Sequence, residues 1–435
     1  MTASATLDAV PGSRMPRGLQ MAGWIVRPGA IMRRREAEFG DTFRLQIEPG
    51  SPWVMVSDPE DVKTVFTLGP EDFSAATDVL RPALGAHSLL CLDGAEHLRQ
   101  RRLLLPPFHG ERMQRYREVM REATLEAIAQ MPERTPFALR DYTQEITLDV
   151  ILRAVFGVTD GPEVARLRPP LARMLEWFGG SLILLAQAAL GPGNPVARHS
   201  RRTAIDPVDA ELRRMIAERR GRDDLEERDD ILSLLLLARD EDGEPLSDDE
   251  LRDELLTLLV AGHETTATGL AWAMERLTRH PAALERLTEE ARTGDTTFSD
   301  AVVKETLRLR PVVQLVPRRM LRDLELRRCT VPAGEKVVVS IYLVHHRPDI
   351  YPEPDAFRPE RFLDDPPSSA YAWIPFGGGI RRCIGAAFAQ VEMEVVLHTL
   401  LANARFAPVG EAEHAARRAI TLAPARGGQV VMSRA

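Results

Sequence analysis

One long helix constrains more than any other feature how this chain can fold. Ser247-Asp-Asp-Glu250 has the pattern of a capping box, in which the serine hydroxyl and the glutamate carboxylate satisfy N–H groups at a helix start. Leucines follow at helical spacing, the pattern continues to Arg279, and Pro281 ends it. The segment is about thirty residues long, whereas the mean helix has about 12. It therefore predicts a large helical body.

The rest of the sequence predicts a mainly α fold with a smaller β part (α+β) in a single domain. The middle of the chain has apolar residues at spacings of three and four, whereas Thr42–Ile47 and Trp53–Ser57 predict a β-hairpin. The charge-dense Arg219–Asp230 is predicted to be a solvated loop. Within the domain, 1–435, we expect a Pro-containing N-terminal segment (about 1–20), β-rich parts (about 40–60 and 316–340), a helical body (about 94–310), and a cysteine loop with the following helix (about 376–402).

Composition excludes several classes of protein. The 435 residues carry 56 Lys+Arg and 64 Asp+Glu, a net charge of −8, whereas a nucleic-acid binder usually needs a basic face. Three cysteines are too few for a disulfide framework or a four-cysteine metal site, so a reducing, cytoplasmic location is predicted. The longest apolar run, Ser181–Leu190, is far shorter than the ~20 residues that span a bilayer, so no transmembrane anchor is expected. Only three of the 56 basic residues are lysine, which indicates a GC-rich bacterial genome.

A glycine-rich loop near the C-terminus carries the strongest local signal. It reads Phe376-Gly-Gly-Gly-Ile-Arg-Arg-Cys-Ile-Gly385, and Cys383 lies where the loop enters a helix. A helix N-terminus favours a thiolate, glycines let a flat ligand approach the backbone, and Arg381 could pair with an acidic ligand group. Taken alone, such a cysteine is more often a small buried residue. A phosphate loop is excluded, because no Gly-Lys-Ser/Thr follows the glycines.

These ten residues resemble the haem-binding signature of the cytochrome P-450 superfamily. Every fixed position matches, namely Phe376, Gly379, Arg381, Cys383 and Gly385. The resemblance implies the cytochrome P-450 fold, and haem b (iron protoporphyrin IX) with an axial thiolate from Cys383. It also implies three further motifs at defined places in the chain.

The second motif is Glu305-Thr-Leu-Arg308. By itself it is an i,i+3 helix pair, usually a surface contact worth about 0.3 kcal/mol. In the family the pair is buried and is joined by an arginine of the downstream loop, which Arg361 in Phe357-Arg-Pro-Glu-Arg-Phe362 matches. A carboxylate shared by two guanidiniums is strongly charge-assisted. The implied role is structural, because the cluster would hold the loop that presents the cysteine.

The third motif, AGHETT at 261–266, lies in the middle of the long helix. Glycine and two threonines are poor helix formers and favour a local break. The resemblance places Ala261 at the haem face and makes Glu264 and Thr265 an acid–alcohol pair that delivers protons to bound oxygen. A mid-helix threonine that merely bonds back to the previous turn is the alternative. A His-Glu-x-x-His zinc site is excluded, because its last position is alanine.

The fourth motif consists of basic residues. His97-Leu-Arg-Gln-Arg101 places two of them on one helix face. The resemblance implies that they bind haem propionates, with His97 where the family commonly has tryptophan. Arg318 resembles another propionate arginine, and its spacing to downstream acids favours it over the adjacent Arg319. Together with Arg381, these residues would supply permanently charged, bidentate guanidiniums to two carboxylates. Taken singly, each arginine would most often be a solvated surface group.

The resemblance implies a haem-thiolate monooxygenase of secondary metabolism. It would use O2 and two electrons to hydroxylate or epoxidise a lipophilic small molecule, such as a fatty acid, terpenoid, steroid or polyketide-like compound. The segments that line the pocket in this family are largely apolar here: around Phe73–Leu90, Trp177–Leu190, Ala261 and Pro311–Leu315. As a set they favour a lipophilic substrate, although each residue alone is more simply part of the core.

Electrons would have to come from other proteins. The chain has no dinucleotide fingerprint and no cysteines to spare for an iron–sulfur cluster, so a ferredoxin and its NAD(P)H-dependent ferredoxin reductase are the expected partners. Arg99, Arg102 and Arg382 are predicted to form a basic patch that attracts an acidic partner. No long apolar heptad pattern is evident, so a monomer is expected.

Two other functions stay open at this point. A haem-thiolate peroxygenase or isomerase would need no electron partner, but the intact Glu264-Thr265 pair argues against it. A non-catalytic haem-binding sensor or carrier would consume no oxygen with any partner or ligand. Oxygen consumption and its coupling to product would separate these functions from a monooxygenase.

Overall fold

The computed structural model describes residues 10–48, 52–108, 110, 112–159, 161–179, 202–418 and 420–434. By their contacts these residues fall into two units. The first unit comprises the chain up to Ala76, Asp93–Leu98 and Lys304–Cys383. The second unit comprises Thr77–Leu92, Arg99–Val303 and the chain from Ile384 onward. The mainly helical α+β class predicted from the sequence is confirmed.

The described helices and strands are numbered here in chain order. The helices are α1 (Arg17–Val26), α2 (Pro28–Phe39), α3 (Pro59–Phe66), α4 (Arg81–Leu84), α5 (Gly94–Leu104), α6 (Arg112–Gln130), α7 (Leu139–Phe156), α8 (Gly161–Gly179), α9 (Asp206–Arg220), α10 (Ile231–Leu237), α11 (Asp248–Leu277), α12 (Pro281–Thr293), α13 (Thr297–Leu309), α14 (Ile341–His345), α15 (Arg361–Asp364) and α16 (Ala386–Asn403). The strands are β1 (Thr42–Leu45), β2 (Trp53–Val56), β3 (Phe73–Ser74), β4 (Phe137–Ala138), β5 (Leu315–Met320), β6 (Leu324–Glu325), β7 (Thr330–Val331), β8 (Lys336–Ser340), β9 (Ala404–Pro408), β10 (Ala415–Arg418), β11 (Thr421–Pro424) and β12 (Gln429–Arg434). Short 3-10 turns lie at Asp78–Leu80, Pro106–Phe108, Leu225–Glu227 and Gly379–Arg381.

A five-stranded sheet organises the first unit. Its strand order is β1-β2-β8-β5-β3. β2 and β8 run parallel, whereas the other neighbouring pairs are antiparallel. All five residues of the central strand β8 are buried, which explains its continuous run of valines. The hairpin predicted from the sequence is the β1–β2 pair, and α3 packs Val62, Val65 and Phe66 onto the sheet core.

The second unit is built around α11, the long helix predicted from the sequence. Ser247 and Glu250 form the predicted capping box: the serine oxygen accepts from Glu250 N–H, and the carboxylate accepts from Ser247 N–H at 2.7 Å. The helix ends at Leu277, two residues before the predicted end. α7, α9, α16 and β11 pack along it. The indole of Trp272, fully buried on α11, donates to the Leu422 carbonyl of β11 at 2.8 Å.

The prediction of a solvated loop over Arg219–Asp230 is wrong for the residues at its two ends. α9 continues to Arg220, and the buried Arg219 forms an ion pair with the buried Asp230 and donates to the Phe156 carbonyl at 2.7 Å. Asp230 also caps α10, because its side chain accepts from Ser233 N–H at 3.0 Å. Two of the charged residues of this segment therefore form a buried ion pair. The local sequence cannot distinguish such a pair from charged side chains that are solvated.

Candidate functional site

The cysteine loop of the first unit rests on the end of α3. Gly377 and Gly379 both have φ of +66°, a left-handed conformation that favours glycine. A Cβ on Gly379 would lie 2.0 Å from the carbonyl oxygen of Phe66, so no other residue fits there. Cys383 N–H donates to the Phe376 carbonyl at 2.9 Å and closes the loop. The Cys383 side chain is exposed, whereas the other two cysteines of the chain are buried.

The other two glycines of the signature segment, Gly378 and Gly385, differ in whether the structure requires glycine at their positions. A Cβ on Gly378 would lie 2.3 Å from the ring of Phe66, so this position also requires glycine, although the signature does not include it. Gly385 has an ordinary φ of −87° and is the N-cap residue of α16. A Cβ there would meet no described atom within 4 Å, and nothing in the structure explains glycine at this position.

Two arginines of the first unit lie over one aromatic ring. The Arg318 guanidinium is 4.8 Å from the ring centre of Phe73, and that of Arg381 is 6.0 Å from it. Arg381 forms an ion pair with Asp93, whose carboxylate also accepts from Ala75 N–H at 2.9 Å. Asp93 was not predicted as a site residue, because no local sequence pattern marks it.

Arg318 is a buried cation. It is only 5% exposed, its Nη1 donates to the Pro317 carbonyl at 2.9 Å, and its Nε has no hydrogen-bond partner in the described part of the chain. Burial, together with the neighbouring charge of Arg381, lowers the pKa of Arg318 to about 9. Arg319 instead donates to the Gly334 carbonyl at 3.1 Å, since successive residues of a strand point to opposite faces. The structure therefore places Arg318, and not Arg319, beside Arg381.

His97 and Arg101, which were predicted to bind the propionates, both lie on α5. His97 is buried, with 2% of its surface exposed, and Arg101 is half-buried one turn later. His97 belongs to the first unit, with Arg318 and Arg381, whereas Arg101 belongs to the second.

The structure brings Glu305, Arg308 and Arg361 together inside the first unit. Arg308 donates to both carboxylate oxygens of Glu305, at 2.6 and 2.8 Å, and neither side chain is exposed. Arg361 Nε donates to the same carboxylate at 3.1 Å. Arg308 also donates to the carbonyls of His345, Pro354 and Ala356, at 2.8, 2.8 and 3.1 Å. The cluster thus ties α13 to the irregular segment that follows α14.

In the second unit, Glu264 of α11 is held by a ring of polar groups. Arg140 Nη2 lies 2.7 Å from each of its carboxylate oxygens. Gln144 donates at 3.2 Å, Thr268 at 3.3 Å and Thr421 at 3.5 Å. These partners were not predicted from the sequence, although Arg140 and Gln144 form an i,i+4 polar pair on α7, a signal that could have found them.

Thr265 bonds back to its own helix. Its hydroxyl donates to the Ala261 carbonyl at 2.6 Å, and α11 continues without interruption, so the predicted break is wrong. The extra bond satisfies the hydroxyl without breaking the helical ladder. The residues in the middle of α11 that are not fully buried form one group, which consists of Leu258, Val260, Ala261, Gly262, Glu264 and Thr265. Ala261 is its most exposed member.

A buried carboxyl that the sequence analysis missed lies in the same unit. Glu392 of α16 is 2% exposed and bonds to Thr266, next to the acid–alcohol pair. Burial raises the pKa of Glu392 from 4.5 to about 8, since the Thr266 bond offsets only part of the cost of desolvation. The group is therefore protonated in the folded protein at neutral pH.

We expect Glu392→Gln to remove part of the pH dependence of stability. Between pH 4.5 and about 8 the folded state binds a proton at Glu392 that the unfolded state has released, so stability falls as the pH rises. The variant should lose a slope of about −1.4 kcal/mol per pH unit in this window. Urea unfolding at several pH values measures it. Glu394→Gln, on the same helix but in an ion pair with Arg117, is the matched control and should keep the slope.

Two arginines of the predicted basic patch are neutralised. Arg99 pairs with Asp240 and with Glu250, the latter at 2.8 Å, and Arg102 pairs with Glu241. Arg382 is exposed. These carboxylates balance the positive charge of Arg99 and Arg102, which was predicted to attract an acidic partner. The prediction of a basic patch is therefore wrong for these two residues. Of the predicted pocket segment Trp177–Leu190, residues 180–190 lie outside the described residues.

The comparisons with known proteins decide the family. A family model described as Cytochrome P450 matches residues 19–429. The chain belongs to the cytochrome P450 family. It is 39% identical over 435 residues to the putative cytochrome P450 137 of Mycobacterium tuberculosis, and the alignment covers 98% of this chain and 91% of that relative. It is 38% identical to the putative cytochrome P450 135B1 of Mycobacterium bovis, with 99% and 92% covered.

A solved structure shows the same fold. The protein described as retinoic acid bound cyanobacterial CYP120A1 superposes with a TM-score of 0.85 at 26% identity, covering 98% of this chain and 99% of that one. This cytochrome P450 is accordingly an oxidoreductase, a haem monooxygenase that uses O2 and electrons from redox partners. Its cofactor is protohaem with cysteine thiolate ligation. In the described part of the chain, no helix is both long and apolar enough to cross a bilayer.

The first unit has residues that fit this cofactor. Arg318 and Arg381 place two guanidiniums against the single carboxylate of Asp93, and the Arg318 Nε is a buried donor without an acceptor in the described residues. A haem carries two propionates, whose carboxylates would accept from these donors and offset the surplus positive charge. Cys383 offers an exposed sulfur on a sterically fixed loop of the same unit.

Proposed function

We propose that Cys383 is the thiolate ligand of the haem iron and that Arg318, Arg381, His97 and Arg101 bind the propionates. The buried, under-satisfied Arg318 beside Arg381 is the observation that carries this assignment. Phe376 and Gly379 shape the loop around the sulfur, Gly385 caps the helix that follows the loop, and Ala261 lines the haem face of α11. The bound haem supplies activated oxygen for insertion into a substrate. Glu305, Arg308 and Arg361 keep the loop in place.

We propose that Glu264 and Thr265 deliver protons. Glu264 is 18% exposed at its side chain and has four polar neighbours, so its carboxylate is oriented and stays connected to hydrogen-bond donors. Thr265 can both accept and donate, since its hydroxyl hydrogen is free to rotate away from the Ala261 carbonyl. An acid next to an alcohol on one helix turn forms a short proton relay.

We expect Thr265→Ala to uncouple the reaction. Because positioned proton transfer is typically worth about 10²–10⁴-fold, product formation should fall by at least about 100-fold, while oxygen consumption should fall much less. Thr265→Ser retains the hydroxyl and serves as the control. The ratio of product to oxygen consumed, measured with an electron source, checks this. An unchanged ratio in the alanine variant would favour the peroxygenase or isomerase alternative.

The proposed substrate is a lipophilic small molecule, namely a fatty acid, terpenoid, steroid or polyketide-like compound, which is hydroxylated or epoxidised. Val312, Val313 and Leu315, in the first unit, are apolar and buried or half-buried. The solved relative is described as bound to retinoic acid, a terpenoid carboxylic acid. We further propose a cytoplasmic monomer that receives electrons from a ferredoxin and an NAD(P)H-dependent ferredoxin reductase, because the three cysteines leave none for an iron–sulfur cluster.

A spectroscopic titration tests the substrate class. The ferric protein is titrated with matched series of fatty acids, terpenoid acids, steroids and polar controls of similar size. A spin-state change of the haem with one lipophilic series, followed by a hydroxylated or epoxidised product with ferredoxin and reductase, is the expected result. A response confined to the polar controls would overturn the lipophilic assignment.

A further inference from the structure

The first helix, α1, exposes an apolar stripe. Leu19, Ala22 and Val26 follow one another at spacings of three and four, so they lie along one side of the helix, and Met15 lies two residues before the helix begins. Leu19 is 57% exposed and Val26 is 70% exposed. Of the seven large apolar side chains that are exposed among the described residues, three belong to this stripe, namely Met15, Leu19 and Val26. Such clustering marks an interaction site, whereas scattered apolar residues need no explanation.

The opposite side of α1 is fixed to the first unit. Trp24 is buried and packs edge-on against Trp53 of β2, with ring centres 5.7 Å apart. The buried Gln20 donates to the Met15 carbonyl at 2.8 Å and accepts from Gln46 N–H at 3.2 Å. The apolar stripe is therefore presented by an anchored helix.

Positive charge surrounds the stripe. Residues 10–35 contain six arginines and no aspartate or glutamate, although the whole chain has a net charge of −8. Arg33 and Arg35 pair with Asp355 and Glu38. The other four are exposed and have no ion pair with a described residue: Arg14, Arg17, Arg27 and Arg34. Four exposed arginines without an ion-pair partner among the described residues, within one short segment of an acidic chain, are a strong electrostatic asymmetry.

We propose that the α1 surface, defined as the apolar stripe Met15–Val26 with Arg14, Arg17, Arg27 and Arg34, docks on the surface of an anionic lipid bilayer. An interfacial helix lies in the plane of the membrane, with its apolar side among the acyl chains and its basic residues at the headgroups. Arginine suits both parts, because its aliphatic stem covers apolar surface while its guanidinium reaches phosphate.

Charge complementarity favours a bilayer over a second copy of this chain. A symmetric pair would bring two sets of exposed arginines together without any acidic residue of the segment between them. An anionic bilayer instead supplies both negative charge and an apolar layer. Each basic residue near such a surface adds about 1 kcal/mol, or about fivefold in affinity. The docking is peripheral and does not depend on the substrate or the residue roles proposed above.

Sedimentation with vesicles tests the proposal on the full-length, haem-loaded protein. Vesicles of phosphatidylcholine with phosphatidylglycerol should bind it, and binding should fall with rising salt, whereas pure phosphatidylcholine vesicles should bind it much less. Leu19→Gln with Val26→Gln should weaken binding by at least about tenfold. Changing the four exposed arginines to glutamine should weaken it by at least about 100-fold. Leu321→Gln with Ile420→Gln, at exposed apolar residues elsewhere, should leave it unchanged.

Three results would overturn the docking proposal. The protein fails to bind the anionic vesicles, or the control pair weakens binding as much as the α1 variants do. Alternatively, analytical ultracentrifugation shows a dimer that Leu19→Gln with Val26→Gln dissociates, which would assign the stripe to a second copy. The absorption spectrum of each variant shows whether it retains haem, so a folding defect is distinguished from lost docking.

Discussion

Glu305→Ala is expected to destabilise the protein by about 3–5 kcal/mol, the usual cost of removing one partner of a buried ion pair. The change leaves the Arg308 guanidinium without its counter-charge at a position that is 0% exposed. It also removes the acceptor of Arg361 Nε and of Arg358 N–H, the latter at 2.8 Å. Whole domains are stable by only about 5–15 kcal/mol, so we expect a low yield of haem-loaded protein. Urea unfolding followed by circular dichroism measures the loss.

A neighbouring pair provides the matched control. Arg358 and Glu353 form an ion pair at 2.7 Å in which both side chains are more than half exposed. Exposed pairs of this kind are worth about 0–1 kcal/mol. Arg358→Ala should therefore cost little, and it keeps the backbone N–H that bonds to Glu305. If Glu305→Ala proved as mild as Arg358→Ala, the buried cluster would not be the structural centre of this segment.

Cys383→Ser is expected to abolish product formation and the thiolate signature in the absorption spectrum of the ferrous carbon monoxide complex. Groups that only surround a metal ligand are typically worth about 10–100-fold, so loss of the ligand itself should cost more than that. The exposed sulfur makes no packing contribution comparable to a core residue, so the variant should fold. Spectra, haem content and turnover are measured on the same preparation.

The other two cysteines control for general effects of losing a thiol. Cys91 and Cys329 are buried and lie outside the loop. Cys91→Ala and Cys329→Ala should retain the thiolate signature and most of the turnover, with at most a modest loss of stability. Retention of the signature in Cys383→Ser, or its loss in either control, would move the ligand assignment to another cysteine.

Features that depend on neighbouring residues could be predicted from the sequence. The capping box at Ser247, the length of α11 and the β1–β2 hairpin each rest on residues a few positions apart, and local backbone geometry is enough to determine them. The cysteine signature is equally local, since it lies within ten consecutive residues and the left-handed φ of +66° at Gly379 is a property of the loop backbone that favours glycine. Its resemblance to a known family supplied the cofactor, which residue spacing alone left open.

Features that depend on distant residues were decided only by the tertiary structure. The partner of Arg381 is Asp93, 288 positions away, and the partner of Glu264 is Arg140, 124 positions away. The same holds for the charged segment at 219–230, which seemed solvated but contains a buried pair. A charge in the sequence is compatible with solvent or with a buried partner, because only packing sets the cost of desolvation that makes pairing necessary. The sequence by itself thus determined the long helix with its capping box, the β1–β2 hairpin and the signature, whereas packing decided which of the 53 arginines are buried and which carboxylates they meet.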